Sequence, residues 1–451
     1  MNESSTDLLV VGGGMAGLSA GAWAAQHGAR VTLVEKAAQV GGSAAFAGFV
    51  WTAASYAALR EAIPDGDPEL GRRLVEGIGP AMDWIGSLGV TVGPEVSILR
   101  YGRGRQVDMA SYLRICEAMI RKAPGGRVLL GSAPERLLTS GDGRVTGAEI
   151  ARAEGGVERI AADAVLLATG GFQNDPVLTS LLIHPRSYPI LRRSNPVSAG
   201  GGLRLGLAVG AAFGKDRAGF YGHLVSYPTT AWEPSLFVAL TLYHSEHGVL
   251  LNRAGRRFID ETLSDHLSAQ AVLEQPEGRA LLVTDERVRR EHILGSYVEG
   301  IEPVDKLALV RRYGGRIAVA EDLEELAYLP EEWGYDGQAV LSAVRAFNET
   351  AATRPVDLDP ARAHDSAPLS EPPYYVVEAQ PAITFTLGGL LIDADARVLD
   401  TQGSPIPSLY AAGGDSGGVF AAGGYAGGLA LGLVFGLQAA RSAVGATTAS
   451  G

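Results

Sequence analysis

Residues 7–17 constrain this chain more than any other stretch. Asp7-Leu-Leu-Val-Val-Gly-Gly-Gly-Met-Ala-Gly17 carries an apolar run straight into glycines at 12, 14 and 17. The alanine-rich segment 18–27 reads as a helix, and a second apolar run, 29–34, ends in Glu35, 18 residues after the third glycine. In a strand–turn–helix–strand unit of this kind the first glycine permits the tight turn. The second lets the backbone approach a pyrophosphate, and the third packs helix on strand. The helix N-terminus then faces the phosphates, and the acid accepts from ribose hydroxyls. An ordinary glycine turn is the competing reading, and the flanking strands and acid argue against it. The unit predicts dinucleotide contacts at Gly12, Gly14, Ala16, Gly17, Glu35 and Lys36.

Composition bounds the rest. A length of 451 residues suggests two or three domains, and 46% apolar against 20% charged residues suits a large buried core. Glycine, at 60 residues, is near twice its usual share of ~7%. It keeps no period of three, which excludes collagen. The net charge of −12 argues against nucleic acid or an anionic membrane as a partner. One cysteine, Cys116, excludes a disulfide framework and a cysteine metal cage. Residues 1–6 are short and polar, and the apolar stretch 429–437 is half the length of a membrane span. A soluble, cytoplasmic protein is expected.

Residues 125–150 read as strands broken by the turn Gly141-Asp-Gly143, following a helix over 110–122. Ala164-Val-Leu-Leu-Ala-Thr-Gly-Gly-Phe172 and Ile406-Pro-Ser-Leu-Tyr-Ala-Ala-Gly-Gly-Asp415 then read as buried strands with matching glycine-pair endings. Both endings suit loops around the far half of a long dinucleotide. No second G-x-G-x-x-G with a downstream acid occurs between 150 and 420, so FAD fits better than NAD. The expected fold class is α/β: a Rossmann-like, glutathione-reductase-type FAD-binding domain over 1–215 and 384–451, with an inserted α+β capping domain over 216–383.

These segments, with Gly41-Gly-Ser43, Gly200-Gly-Gly-Leu203, Asn252-Arg-Ala-Gly-Arg-Arg-Phe-Ile-Asp-Glu261, Gly388-Gly-Leu-Leu-Ile-Asp393 and Gly424-Tyr-Ala-Gly-Gly-Leu-Ala430, carry a resemblance. In order along the chain they resemble the flavoprotein superfamily of fumarate reductase and succinate dehydrogenase. That superfamily also holds ketosteroid and other cyclic-ketone dehydrogenases and urocanate reductase. The resemblance implies hydride transfer between flavin N5 and a carbon beta to a carbonyl, while a protein group handles the alpha proton. It further implies cofactor contacts at Gly42, Ser43, Ala133, Thr169, Gly170, Gly389, Gly414, Asp415, Gly428 and Leu429.

Departures from the pattern narrow the substrate. Where the fumarate-reducing branch has a proton-delivering arginine, Asp265 stands; its substrate histidine is Phe385, its clamping arginine Tyr425, and a further arginine His244. A dicarboxylate would lack charge-assisted partners at those positions. Ser43 replaces the histidine of covalent-flavin members, so non-covalent FAD is expected.

The candidate catalytic residues are Tyr425, whose phenol can donate to an oxyanion, His223, which stands where some members of the superfamily keep a substrate histidine, and His244 and Tyr243, whose positions face the cleft in relatives. A buried structural role is the competing reading for each. Phe385, Thr384, Tyr101 and Tyr375 are the candidate substrate contacts. The basic run Arg100-Tyr-Gly-Arg-Gly-Arg105 reads as a solvated loop, and no metal is expected at His244-x-x-His247, for want of a carboxylate partner. The leading expectation is α,β-dehydrogenation of a neutral cyclic or steroid-like ketone. The alternatives are ene reduction of an activated alkene, and a non-catalytic flavin-binding module. An external electron acceptor or donor is a further expected partner.

Overall fold

The computed structural model describes residues 2–185, 190–214, 218–230, 232–295, 304–421 and 423–449. The chain divides into two units, one of 1–183, 194–219 and 385–451, the other of 184–193 and 220–384.

The first unit is built on an eight-stranded sheet whose main path runs 397–399, 405–411, 157–167, 2–11, 31–34, 127–129. The strand Asn2–Val11 is parallel to both neighbours, with Leu8 opposite Val31 on one side and Ala164 on the other. Leu8 to Val11 are at most 1% exposed. A strand covered on both faces carries a continuous apolar run instead of an alternating one. Strands Ala133–Thr139 and Val145–Ala151 form the antiparallel excursion expected over 125–150.

The first helix, Met15–Gln26, packs on the terminal helix, Gly428–Ala449. Small residues allow this approach: a Cβ added at Gly436 would lie 2.4 Å from the Ala16 carbonyl oxygen. The terminal helix runs well past the apolar stretch 429–437. Over Gly428–Gly445 its mean hydropathy is 1.3, enough by length and composition to cross a membrane, yet 61% of that window is buried inside the protein. Its apolarity has a packing explanation.

Residues 100–105 depart from the expected solvated loop. Gly102–Val107 is the central strand of a three-stranded antiparallel sheet with Phe49–Ala53 and Val92–Ile98. Arg103 and Arg105 point outward, whereas Gly102 and Gly104 are buried. The period of two fits a strand. The glycines are required because Trp51 lies against them, 2.3 Å from where a Gly104 Cβ would be.

The second unit is organised by one long strand, Tyr374–Leu387. It pairs with Leu191–Arg192, Ala280–Thr284, Ile317–Ala320 and Gly219–Ser226, and Val249–Leu251 lies beyond Ala280–Thr284. Segment 184–193, expected in the FAD-binding domain, lies in this unit instead, because Leu191 and Arg192 pair with Ala382 and Ile383. Asp305 accepts from the Leu307 and Ala308 N–H groups and so begins the helix Lys306–Arg312. Asp336 does the same for Gly337–Thr353.

Candidate functional site

The glycine turn of the first unit is built as a phosphate cradle. Gly12 has φ +109°, and a Cβ there would sit 2.2 Å from the Ala168 carbonyl oxygen. At Gly17 a Cβ would be 1.9 Å from the Gly12 oxygen. The first helix has Gly14 at its N-cap, with no side-chain cap and no acid in its first turn. Its leading N–H groups are therefore left for an anion. A Cβ on Gly14 would meet nothing nearer than 4.0 Å, so that stretch of backbone faces open space.

Glu35 is 6% exposed, and its carboxylate is held by the Gly13 N–H at one oxygen and the Ala37 N–H at the other, both at 2.7 Å. A carboxylate offers about four lone-pair sites, and two remain for ribose hydroxyls. These features fit a dinucleotide whose pyrophosphate lies over Gly14. Ala16 is buried in the first helix, Gly42 begins the short 3-10 turn Gly42–Phe46, and Ala133 starts its strand half-buried. Lys36 and Ser43 are exposed.

Asp415 ties the far glycine loops together. It accepts from the Thr169 N–H at 2.5 Å and the Thr169 hydroxyl at 3.1 Å, while the Thr169 hydroxyl oxygen accepts from the Gly202 N–H at 2.8 Å. Cβ atoms at Gly389 and Gly414 would lie 2.5 Å from the Asp415 carbonyl oxygen and 2.4 Å from the Gly171 nitrogen. Thr169, Gly170, Gly389, Gly414 and Asp415 are thus one packed junction. At 1% exposure, burial pushes the Asp415 carboxyl up to about 7. The single cysteine lies elsewhere: Cys116 is fully buried in the helix Met109–Lys122, and burial pushes its thiol up to about 12.

Tyr425 stands at the start of the terminal helix. Its phenol oxygen accepts the Gly428 N–H at 2.6 Å, and the residue is 8% exposed. Phe420, Trp51 and Phe385 surround it with ring centroids at 5.2, 5.7 and 5.9 Å. Tyr101 donates to the Tyr425 carbonyl oxygen at 2.5 Å, and burial raises its own pKa. Gly428 and Leu429 are the first residues of that helix. A phenol that accepts a helix N-terminal N–H is polarised toward donating its own proton.

The second unit gathers a separate polar cluster around Tyr243. His223 is 3% exposed, and its Nδ1 lies 2.5 Å from an oxygen of Asp265, itself 1% exposed. Burial, with Arg193 and Lys306 nearby, holds the His223 pKa below its ordinary value in spite of Asp265. A neutral ring then donates from Nδ1 to the carboxylate, which leaves Nε2 as the acceptor. The His223 and Tyr243 rings are 5.2 Å apart, and the Tyr243 hydroxyl oxygen accepts from Arg193 at 3.3 Å. Thr384 accepts from the same guanidinium at 3.2 Å.

Two expectations need correction. His244 is fully enclosed, and burial, with Lys306 next, lowers its pKa to about 3. A ring that stays neutral over the physiological range is a poor proton carrier. Tyr375 shares no pocket with Thr384: both lie on the strand Tyr374–Leu387, nine residues and about 30 Å apart at the usual rise. Its hydroxyl donates to Glu286 at 2.6 Å.

His247 does have a carboxylate neighbour, Asp365 at 2.7 Å, and His292 stacks on its ring at 3.5 Å. Arg287 also lies 3.7 Å from that carboxylate. Arg193, Lys306 and Asp365 were not singled out from the sequence. Nothing in their local pattern separates them from the chain's 38 basic and 50 acidic residues.

Residues 7–72 and 89–430 match a protein family described as FAD binding domain. The chain is 27% identical over 457 residues to a fumarate reductase (cytochrome) of Shewanella frigidimarina, across 93% of this chain and 73% of the relative. It is 26% identical over 531 residues to a 4-oxocyclohexanecarboxylate 2-dehydrogenase of Sinomonas cyclohexanicum, across 93% and 89%. Among solved structures, 3-ketosteroid delta1-dehydrogenase from Sterolibacterium denitrificans shares the fold, with a TM-score of 0.77 at 21% identity over 98% of this chain and 100% of that one. With the dinucleotide cradle and a match along most of its length, the chain belongs to the FAD binding domain family of flavoproteins.

Proposed function

We propose that this flavoprotein is an oxidoreductase of a CH–CH bond next to a carbonyl, working as an α,β-dehydrogenase of a cyclic, steroid-like or cyclohexanone-like ketone. The observation that carries the reading is Tyr425. It is a nearly buried phenol at a helix N-terminus, accepting the Gly428 N–H and walled by Trp51, Phe385 and Phe420. Bound FAD supplies the hydride acceptor, at its N5. Gly12, Gly14 and the first helix would hold its pyrophosphate and Glu35 its ribose, with the Thr169–Asp415 junction available to its far half. Ser43 offers no imidazole for attachment and Cys116 is buried, which supports non-covalent binding.

Tyr425 donates to the carbonyl oxygen and so stabilises the enolate character that develops when the alpha proton leaves. The apolar walls keep water from competing for that hydrogen bond. In the second unit, His223, its tautomer set by Asp265, presents Nε2 as an acceptor for a proton. An external acceptor must then reoxidise the flavin.

The reverse direction, ene reduction with electrons from a separate donor, draws support from the likeness to the Shewanella fumarate reductase. Anaerobic stopped-flow absorbance separates the two. Bleaching of the oxidised flavin by saturated cyclic ketones supports dehydrogenation, whereas reoxidation of the dithionite-reduced flavin by enones alone supports reduction. Silence in both arms across a broad panel would refute the proposal.

A further inference from the structure

Two cations are buried in the second unit without a carboxylate of their own. Arg193 is 8% exposed and Lys306 5%, and neither forms an ion pair among the described residues. The buried acid of this cluster, Asp265, is held by His223, so two positive charges face one negative. Burying an uncompensated charge is costly. An anion would restore the balance.

The hydrogen-bond inventory leads to the same ligand. Arg193 uses three of its N–H donors, on the Phe237 carbonyl at 3.2 Å, the Thr384 hydroxyl at 3.2 Å and the Tyr243 hydroxyl at 3.3 Å. A guanidinium carries five donors, so two remain. Lys306 donates to the Val238 and Ala239 carbonyls at 3.0 and 3.2 Å, which leaves one ammonium proton, and its nitrogen lies 5.2 Å from the Tyr243 ring centroid. His244, next in the chain and 2% exposed, has no hydrogen-bond partner at either ring nitrogen among the described residues. Every residual group on Arg193 and Lys306 is a donor, and His244 adds one more. The ligand must therefore be rich in acceptors and carry about one negative charge.

We propose that Arg193, Lys306 and His244, gathered around Tyr243, form a binding site for a small monocarboxylate. Two carboxylate oxygens match the pair of donors left on the guanidinium fork, and a single charge matches the imbalance. Phe237, over which the Arg193 guanidinium lies at 5.4 Å, and Trp232, 5.1 Å from Phe237, provide apolar surface for the body of the acid. The four positions at which the fumarate-reducing branch would place substrate side chains are not cationic here, whereas Arg193 and Lys306 enter from other elements. The site goes beyond the flavin chemistry proposed for the first unit, and its test reads binding alone.

Isothermal titration of the full-length, FAD-loaded protein with benzoate and with benzamide provides that test. Benzoate should bind at least about tenfold more tightly, the size of one charge-assisted hydrogen bond. Arg193→Gln and Lys306→Gln should each remove most of that preference, while Arg193→Lys and Lys306→Arg, which keep the charge, should retain much of it. Should one glutamine variant fail to fold, as judged by circular dichroism, the other carries the test. Equal affinity for acid and amide, no heat from benzoate up to about 10 mM, or an undiminished preference in both glutamine variants would overturn the site. Inorganic phosphate binding as tightly as benzoate would overturn the monocarboxylate assignment. Benzoate binding is read without turnover and flavin reduction by ketones is read in the unmutated protein, so either proposal can fail while the other stands.

Discussion

Replacing Asp415 by asparagine should remove a pH dependence from the stability of the FAD-binding unit. Burial pushes this carboxyl from 3.8 up to about 7, against the opposing pull of hydrogen bonds from Thr169 and neighbouring backbone N–H groups. Because the folded-state value is raised above the unfolded one, the folded chain holds this proton more tightly. The stability it contributes is complete below pH 3.8 and is lost as pH rises through about 7. At about 1.4 kcal/mol per pH unit, the separation corresponds to as much as about 4 kcal/mol.

Asparagine imitates the protonated acid. Its carbonyl oxygen can still accept the Thr169 N–H, and it has no charge to desolvate. The assay is urea unfolding of the FAD-loaded protein and its Asp415→Asn variant at about pH 4.5, 6 and 8, followed by flavin and tryptophan fluorescence. Wild type should lose stability relative to the variant as pH rises, by several kcal/mol across the range. If the two profiles ran parallel to within about 1 kcal/mol, Asp415 would be ionised in the folded protein throughout, and the account of the junction would be wrong.

Three further outcomes test other parts of the structure. Tyr425→Phe should slow anaerobic flavin reduction by more than about tenfold, the loss of one oxyanion donor, with FAD retained; an unchanged rate would take Tyr425 out of the chemistry. Glu35→Gln should weaken FAD binding by about tenfold or more, measured by equilibrium flavin release, because both carboxylate oxygens accept backbone N–H groups, of Gly13 and Ala37 at 2.7 Å each, and an amide nitrogen can replace neither acceptor. Gly436→Ala should destabilise the first unit by about 1–3 kcal/mol, since the added Cβ would stand 2.4 Å from the Ala16 oxygen and force two helices apart. A melting temperature equal to wild type would contradict that packing.

The parts legible in the sequence are those in which backbone, rather than side chain, makes the contact. A glycine that must let a phosphate or another strand approach is required by local geometry, so Gly12, Gly14 and Gly17 announce the cradle within a few residues of one another. The same holds for the paired endings at 170–171 and 413–414, and for Tyr425, whose position ahead of an apolar helix is visible from its neighbours. Strand and helix types followed from runs and periods. The exception was 100–105, where two alternating glycines looked like loop until Trp51 was seen to fill the space beside them.

Side-chain electrostatics were not legible, because they depend on which distant residues are brought together and on how much water is excluded. Nothing local distinguishes Arg193, just after a two-residue strand, or Lys306, the first residue of a helix; only the tertiary structure places both beside Tyr243. His223 and His244 looked alike in the sequence, as histidines within one segment. The fold gives His223 a buried carboxylate at 2.5 Å and, among the described residues, gives His244 none, with its pKa lowered to about 3. The sequence by itself determined the flavin-binding architecture, because close backbone packing is imposed residue by residue. The tertiary structure decided which charges are buried and what balances them, because desolvation and Coulomb energy belong to neighbourhoods that no stretch of the chain contains alone.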